Sequence, residues 1–402
     1  MNLPLGVFAH PLFRAVFFAS LVSNVGTFVQ DVGEAWMMVR LGGTPLQIAL
    51  VSATTWAPAL LVALPAGALA DRLDRRIILA ITQGWMALTS LGLALATARG
   101  LVTPTVLLIA TTSLGFGSAL SLPAWSTLVP DLVPRRDLPD AVAVQSTSWN
   151  FARAVGPALG GVIVLQMGPA FAFALNAASF TGLIAVVLRA PRIERETSTA
   201  PMLQAIAEGV RCVWGMRDLR VTVAITALYG FVASPLMALM PALVALVLGG
   251  SSLAFGVLLG SFGAGAIAGA LSIRAARETF KPRVLVPLCA MVTGAGTLGQ
   301  SFAPSLGWAV VATFPAGVSW LVLLSTQNAL LQTVSPDGLR GRVKSVDNLL
   351  FVGLYAIGAA CAGALANRFG VRAVLGGSAT LMLVVATIAR AASLPELPVD
   401  EG

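Results

Sequence analysis

Charge is scarce in this 402-residue chain: only 10% of its residues are Asp, Glu, Lys or Arg, against about 25% in an ordinary soluble domain. Histidine is scarcer, His10 being the only one. Three cysteines, Cys212, Cys289 and Cys361, show no metal-ligand spacing. These shortages exclude whole classes of chemistry. A Ser/His/Asp set has no histidine outside the N-terminal tail, and neither a metal cluster nor a phosphate loop is present, so the chain reads as a non-enzyme without metal or cofactor. The first residues lack the positive n-region and small-residue cleavage site of a signal peptide, so the N-terminus is expected to stay attached, in the cytoplasm.

Hydrophobic length is what the chain has instead. With 57% hydrophobic residues and a mean hydropathy of +0.88, it is expected to be an all-α integral membrane protein. About 33 residues for a span and its connection allow about twelve spans. The pattern places them at 13–39, 46–70, 76–98, 103–128, 138–167, 170–188, 219–248, 253–275, 284–302, 307–334, 343–369 and 371–392. Lys and Arg test the topology. Twenty of the 25 fall on segments that this layout puts inside, four outside, and Arg153 lies within span 5. Both termini are therefore expected in the cytoplasm of an inner-membrane protein. The formal charge of +8 belongs to these loops, which removes nucleic acid as a partner.

The long hydrophilic break at 190–218 divides 1–189 from 219–402 into two six-helix halves. Its second part sets Met202, Ile206, Val210, Val213 and Trp214 at helical spacing, which predicts an amphipathic helix on the inner membrane surface. The halves read as repeats. Gly67-Ala68-Leu69 returns as Gly269-Ala270-Leu271, a shift of 202, with Ile273 in place of Asp71; Gly156 meets Gly358 and Gln145 meets Asp347 at the same shift. Matched halves around a midplane site are the build of secondary transporters.

Between spans 2 and 3 stands Gly67-Ala68-Leu69-Ala70-Asp71-Arg72-Leu73-Asp74-Arg75-Arg76. Small residues let a neighbouring helix approach, arginines hold the turn inside, and Asp71 can face a helix N-terminus or pair with an arginine. The alternative is a basic loop that only sets topology. The stretch resembles the motif between helices 2 and 3 of the major facilitator superfamily, with Asp74 where the family has Gly, a residue that enters left-handed geometry more readily than most. The resemblance implies that Asp71 with Arg72, Arg75 and Arg76 latches helix 2 to the start of helix 11. Ser23-Asn24-Val25-Gly26-Thr27, Gln30, Trp36, Arg153 with Gly156-Pro157, and Glu208-Gly209-Val210-Arg211 resemble the branch that holds the enterobactin exporter and macrolide-efflux proteins.

Asn24, Thr27, Asp31 and Glu34 share one face of span 1. An acid inside a bilayer is a functional candidate by default, and alternating exposure can couple it to proton uptake and release. Asp31 lies about 27 Å along the span, so a hydrated rim or an ion pair is the alternative. Arg153 needs a partner or water, with Asp31 or Glu34 as candidates. Gly156-Pro157-Ala158-Leu159-Gly160-Gly161 predicts a tightly packed kink and resembles the helix 5 motif of the superfamily's antiporters, although plain packing would use the same residues. In the second half, Gln327, Asn328, Asp347 and Tyr355 line the cavity, or Asp347 anchors the start of span 11 near Lys344. The sequence thus describes a secondary active transporter, a monomer exchanging protons for an amphiphilic small molecule, with a dedicated siderophore or metabolite exporter and a non-transporting receptor or scaffold as competing readings.

Overall fold

A computed structural model describes residues 5–62, 73–189, 202–336, 338–392 and 394–395. No water is available inside a bilayer, so backbone groups pair within their own segment and long apolar runs become helices. Among the described residues these are α1 (Pro11–Arg40), α2 (Pro45–Trp56), α3 (Arg75–Ala98), α4 (Pro104–Leu128), α5 (Leu138–Met167), α6 (Pro169–Val187), α7 (Met202–Gly215), α8 (Arg217–Ala238), α9 (Ser252–Thr279), α10 (Pro282–Ser301), α11 (Leu306–Val334), α12 (Arg340–Phe369) and α13 (Val371–Ala391).

With α2 followed to Val62 and α8 to Val247, eleven described helices are long and apolar enough to cross a membrane. The remaining long helix, α5, carries Asp140, Gln145, Asn150 and Arg153 in its 30 residues, which dilutes its hydropathy. Helix starts follow local chemistry. Thr44 and Gln47 form a reciprocal capping box, Gln47 Oε1 accepting from Thr44 N at 2.9 Å and Thr44 Oγ1 from Gln47 N at 3.3 Å. Asp74 Oδ1 accepts from Arg76 N at 3.0 Å and so caps α3. Its φ is −60°, so Asp74 does not use the left-handed geometry expected for it; the capping bond selects an ordinary conformation.

Span 7, expected as one helix over 219–248, changes character instead. The α-helix ends at Ala238, and a π-helical segment covers Leu243–Val247. Pro235 and Pro241 each remove a backbone donor there.

The chain divides into two compact units, residues 1–42 with 57–199, and residues 43–56 with 200–402. In the first unit, α1 packs on α5 and α6, and α3 on α4 and α6. In the second, α8 packs on α12 and α13, α10 on α11 and α13, α9 on α11, and α2 on α12. Close backbone approach recurs at equivalent places. A Cβ on Gly156 would lie 2.6 Å from Phe28 Cβ, and one on Gly358 would lie 2.4 Å from Phe231 O. Gly168 (φ +83°) and Gly370 (φ +82°) are also 202 residues apart, and each alone connects two helices, α5 to α6 and α12 to α13.

Candidate functional site

The first unit contains a buried polar network centred on Glu34, which is 2% exposed. Glu34 Oε1 accepts from Gln30 Nε2 at 2.7 Å, one helical turn earlier on α1. Glu34 Oε2 accepts from Thr111 Oγ1 of α4 at 3.0 Å. Gln30 Oε1 in turn accepts from Ser90 Oγ of α3 and Asn176 Nδ2 of α6, both at 2.8 Å. Ser179 Oγ donates to Asn176 Oδ1 at 2.9 Å. Polar side chains from three helices, α3, α4 and α6, therefore converge on α1. Every donor is neutral, and the chain of bonds runs toward the carboxylate.

This arrangement suits either protonation state. As a carboxylate, Glu34 has both oxygens bonded. As an acid, its Oε2–H can turn to Thr111 Oγ1, because the Thr111 hydroxyl also lies 3.0 Å from Leu107 O and can donate there. A proton can thus be gained or lost without moving heavy atoms, and the satisfied amides on either side hold the side chain in place.

The expected stripe on α1 does not act as one surface. Glu34 turns inward with Gln30, whereas Asp31 is half-buried and accepts no hydrogen bond from the described residues. Thr27 Oγ1 is turned back onto Ser23 O at 3.0 Å, and Asn24 is half-buried beside it. Arg153 is half-buried on α5, but it is not among the donors to Glu34, whose oxygens are taken by Gln30 and Thr111. Gly156, Pro157, Gly160 and Gly161 are all buried. A Cβ on Gly160 would come within 3.0 Å of Val29 Cα, which makes this stretch the α1–α5 packing seam.

In the second unit, Tyr355 is 8% exposed in an aromatic cluster, with ring centroids 6.2 Å from Trp320, 6.3 Å from Phe351 and 6.5 Å from Trp56. Asp347 is buried and pairs with Lys344 Nζ at 2.9 Å. Gln327 Nε2 donates to Thr222 O at 3.3 Å, and Asn328, next on α11, is half-buried.

Of the charged turn, Gly67, Asp71 and Arg72 lie outside the described residues. Arg75 Nη1 bonds Asp131 Oδ2 at 2.6 Å, and Arg76 Nη2 bonds Asp74 Oδ2 at 2.7 Å. On the same unit, His10 Nε2 lies 2.9 Å from Asp137 Oδ2. The echo at Gly269 is helical: a Cβ there would come within 2.6 Å of Val318 O, and Arg274 pairs with Glu278 at 2.8 Å one turn on.

Two helical units rich in membrane-spanning segments, with a polar network buried in one bundle, define a multi-pass membrane protein. A sequence model described as "Transmembrane secretion effector" matches residues 3–401, and the chain belongs to this family of the major facilitator superfamily. It is 29% identical over 383 residues to the enterobactin exporter EntS of Salmonella paratyphi A, covering 89% of this chain and 86% of that one. It is 28% identical over 399 residues to the multidrug efflux pump Tap of Mycolicibacterium fortuitum, covering 93% and 94%. Among solved structures, a bacterial homologue of the human lysosomal transporter Spinster matches with a TM-score of 0.76 at 15% identity, covering 95% of this chain and 96% of that one. The nucleoside transporter NupG matches with 0.74 at 14%, covering 95% and 98%.

Proposed function

We propose that this chain is a proton-coupled exporter of amphiphilic small molecules that works by alternating access in the cytoplasmic membrane. It acts as a monomer of twelve spans with both termini inside, α5 being the twelfth. Residues 1–189 and 219–402 form the two halves, and 190–218 joins them, with α7 on the inner surface. The observation that carries the reading is the Glu34 network: a buried carboxyl held by Gln30 and Thr111, able to bind or release a proton in place. Asp31, one turn away and half-buried, passes the proton between this network and the cargo cavity, which Asn24, Thr27 and Arg153 line. Gly67, Asp71, Arg72, Arg75 and Arg76 act as the conformational latch, and the seam at Gly156–Gly161 lets α5 move against α1.

Purified protein in proteoliposomes tests this. Asp31→Asn and Glu34→Gln should each abolish substrate-driven proton movement while leaving folding intact. Normal coupling in both variants would sink the assignment. Identity to a siderophore exporter as well as to a drug pump supports a second reading, a dedicated siderophore or metabolite exporter. In an efflux-deficient strain that reading predicts protection against one cargo class, whereas broad drug resistance would exclude it.

A further inference from the structure

A second group of buried oxygens lies in the other unit, where the Glu34 network does not reach. On α8, Thr222 O accepts from Thr226 Oγ1 at 3.0 Å and from Gln327 Nε2 of α11 at 3.3 Å. Asp347 of α12 faces the same turn, with the Thr226 hydroxyl against its carboxylate and Lys344 Nζ on its Oδ2 at 2.9 Å. Those contacts use the available donors. With the Thr226 proton on Thr222 O, Asp347 Oδ1 is buried without a donor among the described residues, as are Gln327 Oε1 and Asn328 Oδ1; Gln327 and Asp347 are only 1% and 2% exposed. Buried acceptors are nearly always bonded, because leaving one without a donor forfeits its hydration. Just below them, Leu219, Val223, Leu331, Val343 and Val346 close the junction in one apolar cluster.

The chemistry of the set selects the ligand. All the donor atoms it offers are oxygens, which suit a hard cation and not the softer metals that take sulfur or imidazole. Only one carboxylate is present, and Lys344 already neutralises part of it, so a divalent ion would be under-compensated. Of the other charged groups on the packed elements, Arg342 pairs with Glu208 of α7, Arg274 with Glu278 on α9, Arg277 of α9 bonds Thr326, the residue before Gln327, and Arg372 and Arg390 of α13 bond the carbonyls of Ala303 and Arg283; Arg340 and Arg368 stand at the two ends of α12, and Arg211 of α7 is exposed. Arg217 and Asp218 lie at the start of α8, one turn or more before Thr222, and Arg220, two residues before it, turns its Nη1 to Trp214 O at 3.3 Å. Lys344 itself is 46% exposed, so it can leave the carboxylate for water when something else arrives.

We propose that Asp347 and Gln327, set around the Thr222–Thr226 turn, with Asn328 next to Gln327 on α11, form a site for a small monovalent cation, a sodium ion or a proton, in the second half of the transporter. The site stands whether or not Asp31 and Glu34 carry the coupling proton. The first half supplies its control. At the shift of 202, Gln145 stands for Asp347 and Ser20 for Thr222; Gln145 Nε2 donates to Ser20 Oγ at 3.3 Å, while its Oε1, like Asp347 Oδ1, has no donor among the described residues. A carboxamide therefore fits this place in the fold, and Asp347→Gln should keep the shape while removing the charge.

The test is thermal unfolding of the purified full chain in detergent. In one arm, sodium chloride replaces N-methylglucamine chloride at constant ionic strength; in the other, pH is lowered at constant salt. A saturable rise in the melting midpoint is expected, in the first arm if the ion is sodium and in the second if it is a proton. The rise should vanish in Asp347→Gln and persist in the Asp31→Asn/Glu34→Gln double variant. Lys344→Gln, at a half-exposed position, should lower the half-saturating cation concentration about fivefold, the upper end for an ion pair with one partner in water. No saturable rise in either arm, a rise that Asp347→Gln retains, or a half-saturation unchanged in Lys344→Gln would overturn the proposal.

Discussion

Thr111→Val tests whether Glu34 is a buried charge held by neutral donors. The substitution is nearly isosteric and deletes one hydroxyl, which lies 3.0 Å from Glu34 Oε2 and 3.0 Å from Leu107 O. In soluble proteins a hydrogen bond to a charged group is worth about 1.5–3 kcal/mol. Between membrane helices the mean is only about 0.6 kcal/mol and the maximum about 1.7, because the unfolded chain in the membrane also finds partners. Glu34 is 2% exposed, so its ionised form has no water to fall back on, and the upper end applies: about 1.5 kcal/mol for Thr111→Val. In a Glu34→Gln background the same hydroxyl meets a neutral oxygen, and the deletion should fall to about 0.6 kcal/mol. The expected coupling is therefore about 1 kcal/mol, above the roughly 0.3–0.5 within which independent sites add. Reversible unfolding of the four proteins in mixed micelles measures it, at a pH high enough to ionise the group. Coupling should shrink toward zero once the pH is low enough to protonate Glu34. Coupling below about 0.3 kcal/mol at every pH would refute the charged reading.

Three further outcomes follow from packing and charge. Gly265→Ala places a Cβ 2.1 Å from Phe314 O, and Gly358→Ala places one 2.4 Å from Phe231 O; since both obstacles are backbone, each should lower stability by about 1–3 kcal/mol, and an unchanged melting midpoint would contradict the helix spacing. Arg75→Ala should cost about 2 kcal/mol because it strips a partner from Asp131, whose side chain is 8% exposed, and Asp131→Asn in the same chain should recover part of the loss. Glu208→Gln should stay within about 1 kcal/mol of wild type, since the side chains of Glu208 and Arg342 are 31% and 34% exposed; a larger loss would mean that α7 bears on the stability of α12.

What the sequence revealed of the fold came from signals that add along the chain. Apolar length located the helices, and Gly and Pro located their seams, because each signal acts on its own neighbourhood. Local exceptions were harder to read. Asp74 was expected to enter left-handed geometry in place of a glycine, yet as the residue before a helix it caps Arg76 N. Span 7 has two prolines, and no periodicity reveals that the helix will widen to a π segment between Pro241 and Gly249.

The site was legible on one helix and hidden on three. Asp31 and Glu34 stand out as the acids of α1, and their spacing puts them on one face together with Asn24 and Thr27. Gln30, four residues before Glu34, was visible only through family resemblance. Ser90, Thr111 and Asn176 are each one of several small polar residues in largely apolar spans, and nothing within each span distinguishes a side chain that completes a network from one that only bonds a carbonyl one turn back on its own helix, as Thr27 does with Ser23 O. Convergence is a property of packing. It depends on α1 being close enough to α6 for Gly26 to touch Asn176 and Ser179: a Cβ at Gly26 would lie 2.7 Å from Asn176 Oδ1. That glycine was seen in the sequence as part of a motif. Its physical reason is the room that it leaves for Asn176 to reach Gln30, and through Gln30 the carboxyl that the exporter reading depends on.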